Sequence, residues 1–244
     1  MKSEFINIKK IPKLIIIVTL FFLASLFQLI PIRLFHIDIS NITNYQQLLL
    51  TTFSDSILLI ILVFIYYKDL KKDFKKLKEN FNSIIDTGIK YWFIGLIIMV
   101  ISNIFIGLFI TSAKAGNEEG VQQLIHSSRF LSIMAVGILA PIIEELTFRK
   151  AFREVFTNKT LFVLASGLIF GGLHVILSLN SLWDLFYIIP YSSLGIAFGY
   201  MYQKTDNIYT SIIMHIFHNT ALTTLSLIGG AMILLWKEKK KQIS

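Results

Sequence analysis

The sequence has no cysteine and very little charge. Of its 244 residues only 16% are charged, four are proline and four are arginine, while 55% are hydrophobic. Without cysteine the chain cannot form a disulfide bond, a thiolate metal site or a cysteine nucleophile. A soluble domain of average composition carries about 25% charged residues. The low charge and high apolar content therefore indicate a protein surrounded largely by lipid.

The apolar residues are gathered into blocks of the length that a bilayer requires. A transmembrane helix needs about 20 consecutive, mainly apolar residues. The seven blocks lie at 11–32, 47–67, 90–112, 129–150, 160–179, 185–203 and 207–236. This pattern predicts an all-α polytopic membrane protein. The first block follows a basic N-terminus, and it is predicted to stay as an uncleaved helix because no convincing small-residue cleavage site follows it.

Positive charge is concentrated between the apolar blocks and at the two ends of the chain. The formal net charge is +8, but no nucleic-acid-binding motif accompanies it, so we expect no nucleic-acid partner. Cytoplasmic loops of membrane proteins are enriched in lysine and arginine. Segments 68–80 and 149–159 and both termini are therefore predicted to be cytoplasmic, and the less basic segment 113–128 to be external.

Two cytoplasmic termini require an even number of membrane crossings. Block 207–236 is long for one helix, and a break at Gly229 and Gly230 or near Asn219 would divide it. We therefore predict about eight helices, the last two short, with seven as the alternative. The chain is divided into N-terminal helices with a basic loop, a catalytic core and a basic tail, at residues 1–128, 129–236 and 237–244.

Three apolar blocks contain polar side chains that are costly in contact with lipid. A charged residue at bilayer depth is rare and is by default a candidate for function. The three clusters are Glu144, Glu145 and Arg149 in EELTFR, Phe170 and His174 in FGGLH, and His215, His218 and Asn219 in HIFHN. Carboxylates, imidazoles and an amide can together hold and deprotonate a water molecule. The pattern predicts that three helices meet at a hydrolytic site.

Helical spacing separates the roles of the two glutamates. Residues four apart share a helix face, so Glu145 and Arg149 are predicted to form an ion pair. Glu144 points about 100° away from Glu145 and is free to act. The alternative is that both glutamates mark a helix end, which the helix dipole disfavours at a C-terminus. Taken alone, the histidines could equally be hydrogen-bonded groups in the helix interfaces.

The three motifs together resemble those of the CAAX-protease and bacteriocin-processing family of intramembrane proteases, relatives of the type II CAAX prenyl endopeptidases. EELTFR resembles EExxxR, FGGLH resembles FxxxH and HIFHN resembles HxxxN, in the same order, over about residues 129–225. The resemblance implies a helical bundle with a cavity reached from one membrane face. It implies catalytic roles for Glu144, His174, His215 and Asn219, with Glu145 and Arg149 as an orienting pair. His218 is an extra histidine that lies off the motif face by its spacing from Asn219, and we interpret it as structural.

The resemblance leaves two mechanisms open, since the family is described as glutamate-dependent or metal-dependent. A divalent metal such as Zn²⁺ would be held by Glu144, His174 and His215, a minimal ligand set. We favour the metal-free mechanism, because the asparagine of HxxxN suits an oxyanion better than a cation.

The leading hypothesis is an intramembrane endopeptidase in a bacterial cytoplasmic membrane, acting on a peptide or membrane-protein substrate. Glu144, assisted by His174, would deprotonate water, and His215 and Asn219 would stabilise the oxyanion. The alternative is a non-catalytic scaffold or a bacteriocin self-immunity protein of the same family. A proton-coupled transporter has less support, because the chain shows no inverted repeat. The sequence identifies neither the substrate, nor any link to prenylated proteins, nor the oligomeric state.

Overall fold

Seven long helices make up most of the part of the chain that the structure describes. The computed structural model describes residues 5–110, 116 and 127–243, with side chains as far as residue 228. The helices are α1 (Ile8–Leu34), α2 (Asn44–Glu79), α3 (Phe81–Phe109), α4 (Arg129–Val155), α5 (Lys159–Ile176), α6 (Ile188–Thr205) and α7 (Ile208–Ile243). Short 3₁₀ helices precede α2 and α6, at Ile39–Asn41 and Leu182–Tyr187. The described residues contain no strand, only one isolated bridge between Ile6 and Phe156.

Six of the described helices are long and apolar enough to cross a membrane. The remaining one, α6, is rich in small residues and is largely buried where it packs against α3, α5 and α7. Large apolar side chains are exposed along the outer faces of the bundle, as contact with lipid requires. The all-α polytopic membrane fold predicted from the sequence is confirmed, and the chain is a multi-pass membrane protein.

The last apolar block forms one helix and not the two short ones that we expected. Helix α7 runs without interruption through Gly229 and Gly230. Each glycine costs a helix only about 1 kcal/mol, whereas an unpaired backbone group in lipid costs several kcal/mol. The described residues therefore have seven long helices, the lower of the two predicted counts. The two-helix prediction followed from a cytoplasmic C-terminus, so one continuous helix removes its support. The segment 113–128, which we predicted to be external, lies almost entirely outside the described residues.

Basic segments that were predicted to share one side of the membrane meet at one end of the bundle. Lys13 Nζ donates to Glu154 Oε1 across 2.9 Å, which joins the start of α1 to the end of α4. Lys150 Nζ lies 3.4 Å from Asp69 Oδ2 of α2. We call this the basic end of the bundle.

Asp73 of α2 holds the first residues of α7 at the same end. Its carboxylate Oδ2 accepts a hydrogen bond from Ile208 N at 3.2 Å, and its carbonyl accepts one from Asn207 Nδ2 at 2.8 Å. A side-chain oxygen that accepts from an N-terminal backbone N–H caps a helix. Because Asp73 belongs to another helix, the cap also fixes α7 against α2.

Helix α4 departs from regular α-helical geometry in two stretches. Ile133–Leu139 and Glu145–Lys150 are π-helical, and α-helical residues separate them. Such wide turns are rare and occur frequently at functional sites. The second stretch contains most of the EELTFR motif, so the polar residues of α4 lie on an unusual backbone.

Candidate active site

A buried ion pair joins Glu145 and Arg149 inside α4. Glu145 Oε2 lies 3.5 Å from Arg149 Nε, and both side chains are 0% exposed. Arg149 also donates from Nη2 to Gly195 O of α6 at 3.1 Å, and its guanidinium lies 4.3 Å from the Phe170 ring centroid. Arginine stays charged in proteins, so it favours the ionised form of its partner. The predicted ion pair is present in the structure.

His215 of α7 lies between the two glutamates. Its Nδ1 is 2.9 Å from Glu145 Oε1, and its Nε2 is 3.5 Å from Glu144 Oε2. An ionised carboxylate can only accept a hydrogen bond, so His215 donates from Nδ1. Glu145 therefore holds the ring with Nε2 turned towards Glu144. Sequence reasoning did not anticipate that Glu145 contacts this histidine as well as Arg149.

Two phenylalanines enclose the His215 ring. Phe198 of α6 stacks on it with centroids 4.5 Å apart, and Phe170 of α5 presents an edge at 5.8 Å. These apolar rings fix the imidazole and keep water from its faces. Sequence reasoning missed Phe198, because a phenylalanine in an apolar block carries no polar signal. The small residues around it in α6 were the only hint of close helix packing.

Glu144 is the glutamate that remains available for reaction. Its side chain is 16% exposed, whereas that of Glu145 is 0% exposed. The buried Oε2 atom of Glu144 accepts no hydrogen bond from the described residues. Glu144 thus combines a partly open side chain with an oxygen directed at an imidazole, which suits a group that exchanges protons.

His174 of α5 belongs to the same region but is hydrogen-bonded within its own helix and not to Glu144. Its Nδ1 lies 2.9 Å from Phe170 O, one turn earlier in α5. A carbonyl only accepts, so His174 donates from Nδ1 and its Nε2 is free to accept when the ring is neutral. The ring stacks on Tyr191 at 5.2 Å. Within the described part of the chain it has no hydrogen bond or ion pair to either glutamate.

Asn219 and its neighbour Thr220 join α7 to the first π-helical stretch of α4. Asn219 Nδ2 donates to Val136 O at 3.1 Å, and Thr220 Oγ1 donates to Gly137 O at 3.2 Å. The asparagine amide has a second N–H that this bond does not use. His218, by comparison, is buried against Trp92 of α3.

The side chains offered by the resemblance as zinc ligands are not gathered into a metal site. Among the described residues, no three His, Asp or Glu side chains form a group that could hold a metal ion. Both ring nitrogens of His215 face carboxylates, and His174 has no hydrogen bond or ion pair to Glu144 among the described residues. We therefore derive no chemical step through a metal.

Fold and site together define a class of protein. It is a multi-pass helical membrane protein in which α4, α5, α6 and α7 enclose a carboxylate–imidazole site. Residues 126–221 of the chain match the family described as type II CAAX prenyl endopeptidase Rce1-like. This segment contains all three motifs. The family resemblance predicted from the motifs is thus confirmed: this segment is similar to the Rce1-like endopeptidases.

Three curated proteins are similar to parts of this chain. The Bacillus subtilis (strain 168) protein named "Putative membrane peptidase YdiL" is 28% identical over 117 residues, which are 47% of this chain and 44% of the relative. The Lactococcus lactis UPF0177 protein YaiF is 32% identical over 47% of this chain and 50% of its own. An uncharacterized Mycoplasma capricolum protein is 29% identical over 67% of this chain and 50% of its own. The chain thus spans half or less of these relatives. No solved structure matches.

Proposed function

We propose that the chain is an intramembrane endopeptidase that cleaves a peptide bond with water activated at Glu144. The observation that carries this proposal is the sequence of contacts from Arg149 to Glu145, His215 and Glu144. The arginine keeps one carboxylate ionised, that carboxylate orients the imidazole, and the imidazole faces a second carboxylate. A carboxylate that orients an imidazole beside a reacting group is a recurrent arrangement in general acid–base catalysis.

In the proposed reaction Glu144 takes a proton from water while the water oxygen bonds to the peptide carbonyl carbon. His215 shares this proton through Nε2, which lies 3.5 Å from Glu144 Oε2. The tetrahedral intermediate then collapses: the proton passes to the peptide nitrogen, the C–N bond breaks, and a carboxylic acid and an amine are released. Glu144 returns to its starting form, so that protons balance over the cycle.

The remaining motif residues are assigned to the substrate oxygen and to water. The second amide N–H of Asn219 is a donor for the developing oxyanion, and the free Nε2 of His174 is an acceptor for water. Loss of one oxyanion donor typically slows a reaction about 100- to 1,000-fold. We assign His215 and not His174 to Glu144, because His215 is the histidine that contacts it.

The sidedness of the site follows from the charge of the bundle. We propose a bacterial cytoplasmic membrane with the basic end in the cytoplasm, since short cytoplasmic loops are enriched in lysine and arginine. The similarity to the family and to a relative named as a membrane peptidase supports a protease-type activity. Membrane peptides and peptide precursors are the substrates that we propose.

The decisive experiment compares Glu144→Gln with a matched control. Purified protein in liposomes is incubated with a peptide and membrane-protein library, and products are identified by mass spectrometry. We expect the wild type to cleave, Glu144→Gln to be at least about 100-fold slower, and Glu79→Gln to match the wild type. Glu79 lies at the end of α2, and its side chain is 58% exposed. Full activity of Glu144→Gln would exclude Glu144 as the base.

Two further outcomes separate the alternatives. Peptide binding without cleavage by the wild type would favour the scaffold or immunity function over the enzyme. Stoichiometric zinc in the active protein, lost in His174→Ala, would overturn the metal-free mechanism, because loss of one ligand strips a metal from its site.

A further inference from the structure

A short polar run interrupts the apolar sequence of α2 at residues 51–56. Its hydroxyls at Thr52, Ser54 and Ser56 donate to backbone carbonyls, at 2.7, 2.8 and 2.7 Å. Asp55 differs from them, because it has no hydrogen bond or ion pair within the described part of the chain. An unpaired aspartate within a membrane helix is expensive and is a candidate for function.

Asp55 lies on the face of α2 that is turned towards the other helices. Leu48 and Leu62 are seven residues before and after it, Leu58 is three residues after it, and all three are fully buried. Residues at these spacings share one helix face. Leu58 and Leu62 belong to the same apolar cluster as Ile143, the residue before Glu144.

Asp55 lies beside the candidate active site without being bonded to it. Its helix, α2, packs against residues Ala140–Glu144 of α4, and no hydrogen bond joins Asp55 to Glu144. Glu145 has Arg149 as its countercharge, and Glu144 has His215 beside it. Asp55 has no such partner. A carboxylate in a poorly hydrated place is stabilised by a positive charge.

We propose that Asp55 determines substrate specificity by binding a lysine or arginine side chain close to the scissile bond. This inference rests on the proposed function. Consecutive Cα atoms of a peptide are about 3.8 Å apart. When Glu144 acts at the scissile bond, the side chain of the adjacent substrate residue therefore lies beyond hydrogen-bond distance of Glu144. Asp55 lies in that neighbouring region. If Asp55 were instead a second general base, it would have to contact the water that Glu144 holds. The substrate class is therefore a membrane peptide with a basic residue beside the cleaved bond.

The test measures binding, so that it does not depend on cleavage. Glu144→Gln protein in detergent micelles is titrated with fluorescent apolar 20-residue peptides that differ only in one central residue, Lys, Gln or Glu. We expect about tenfold tighter binding of the Lys peptide than of the Gln peptide. The preference should disappear when Asp55→Asn is added and remain with Asp55→Glu. Asp86→Asn removes an exposed carboxylate from α3 and should leave it unchanged.

Each outcome bears on one hypothesis. Equal binding of the Lys and Gln peptides, or a preference that survives Asp55→Asn, would overturn the role of Asp55. Lys preference without cleavage by the wild type would preserve that role and overturn the hydrolase. Because Asp55→Asn keeps the side-chain shape and removes a costly unpaired charge, we expect a melting temperature at least as high as that of the wild type, which shows that the variant is folded.

Discussion

Glu145 contacts two partners, and this gives the second glutamate of the motif a role of its own. Arg149 lies on one side of its carboxylate and His215 on the other. A substitution there strands the guanidinium in a place without water and also releases the imidazole. Glu145 is therefore a positioning residue whose loss affects stability and activity together.

A double-mutant cycle measures the strength of the buried pair. Glu145→Ala or Arg149→Ala alone leaves an unpaired charge, which typically costs about 3–5 kcal/mol. We expect the double variant to be less destabilised than the sum of the single variants. The measurement is unfolding in detergent micelles, followed by temperature or denaturant.

The control for this cycle is an ion pair of the same spacing on the surface. Lys75 and Glu79 are also four residues apart, at 3.9 Å, but their side chains are 82% and 58% exposed. An exposed pair of this kind contributes about 0.3–0.5 kcal/mol. Coupling as weak in the buried pair as in the surface pair would contradict its structural role.

Sequence reasoning identified the polar residues of the site but not all of their contacts. The pairing of Glu145 with Arg149 follows from spacing within one helix. Which histidine meets Glu144 depends on how α5 and α7 are rotated about their axes, and no local pattern encodes that. Phe198 was not predicted either, because it acts through shape. Asp55 was visible as a charge in an apolar block, but no motif drew attention to it.

At the level of elements, the two adjacent glycines of FGGLH have different surroundings. A Cβ added to Gly171 would collide with the Ser192 side chain and lie 2.5 Å from Ser192 N, whereas one on Gly172 would meet only Ile176, at 3.9 Å. Close helix contacts in membranes depend on such small residues. Of the two glycines, Gly171 and not Gly172 therefore allows the close contact of α5 with α6.

The pair provides an experiment with a built-in control. We expect Gly171→Ala to push α5 from α6, to lower the melting temperature and to reduce activity by moving His174. Gly172→Ala should be neutral or slightly stabilising, because alanine favours a helix by up to about 1 kcal/mol over glycine. Equal effects of the two variants on melting temperature would contradict the close contact at Gly171.

The two π-helical stretches of α4 were beyond sequence-based prediction. Spacing rules assume 3.6 residues per turn, and a wider turn depends on tertiary contacts. The first stretch supplies the carbonyls of Val136 and Gly137 that accept from Asn219 and Thr220. These hydrogen bonds come from α7, so the sequence of α4 alone does not reveal them.

At the scale of the whole molecule, the helix count determines where the C-terminus lies. Helix α7 starts at the basic end and continues without a break. We therefore expect the two ends of α7 to lie on opposite sides of the membrane. The sequence predicted the fold class and the apolar blocks well, because bilayer thickness dictates block length. It did not predict the course of the last block, since glycines allow a break without requiring it.

Single cysteines in this cysteine-free chain test the crossing. With the basic end in the cytoplasm, Lys72→Cys should resist a membrane-impermeant thiol reagent in intact cells and react after lysis. Lys240→Cys should react in intact cells, because α7 leads away from the basic end. Protection of position 240 would instead support two short helices and a cytoplasmic C-terminus.

The cap that Asp73 forms on α7 determines how far the active site lies from the basic end of the bundle. His215 follows Ile208 by seven residues, so it lies roughly 10 Å along the axis from the capped end, at a rise of 1.5 Å per residue. A helix transmits this distance rigidly. The position of the reactive groups is therefore set by a contact at the basic end of the bundle and not by the bilayer midplane. A peptide bond cleaved there would lie at a constant distance from that surface in thin and thick membranes alike.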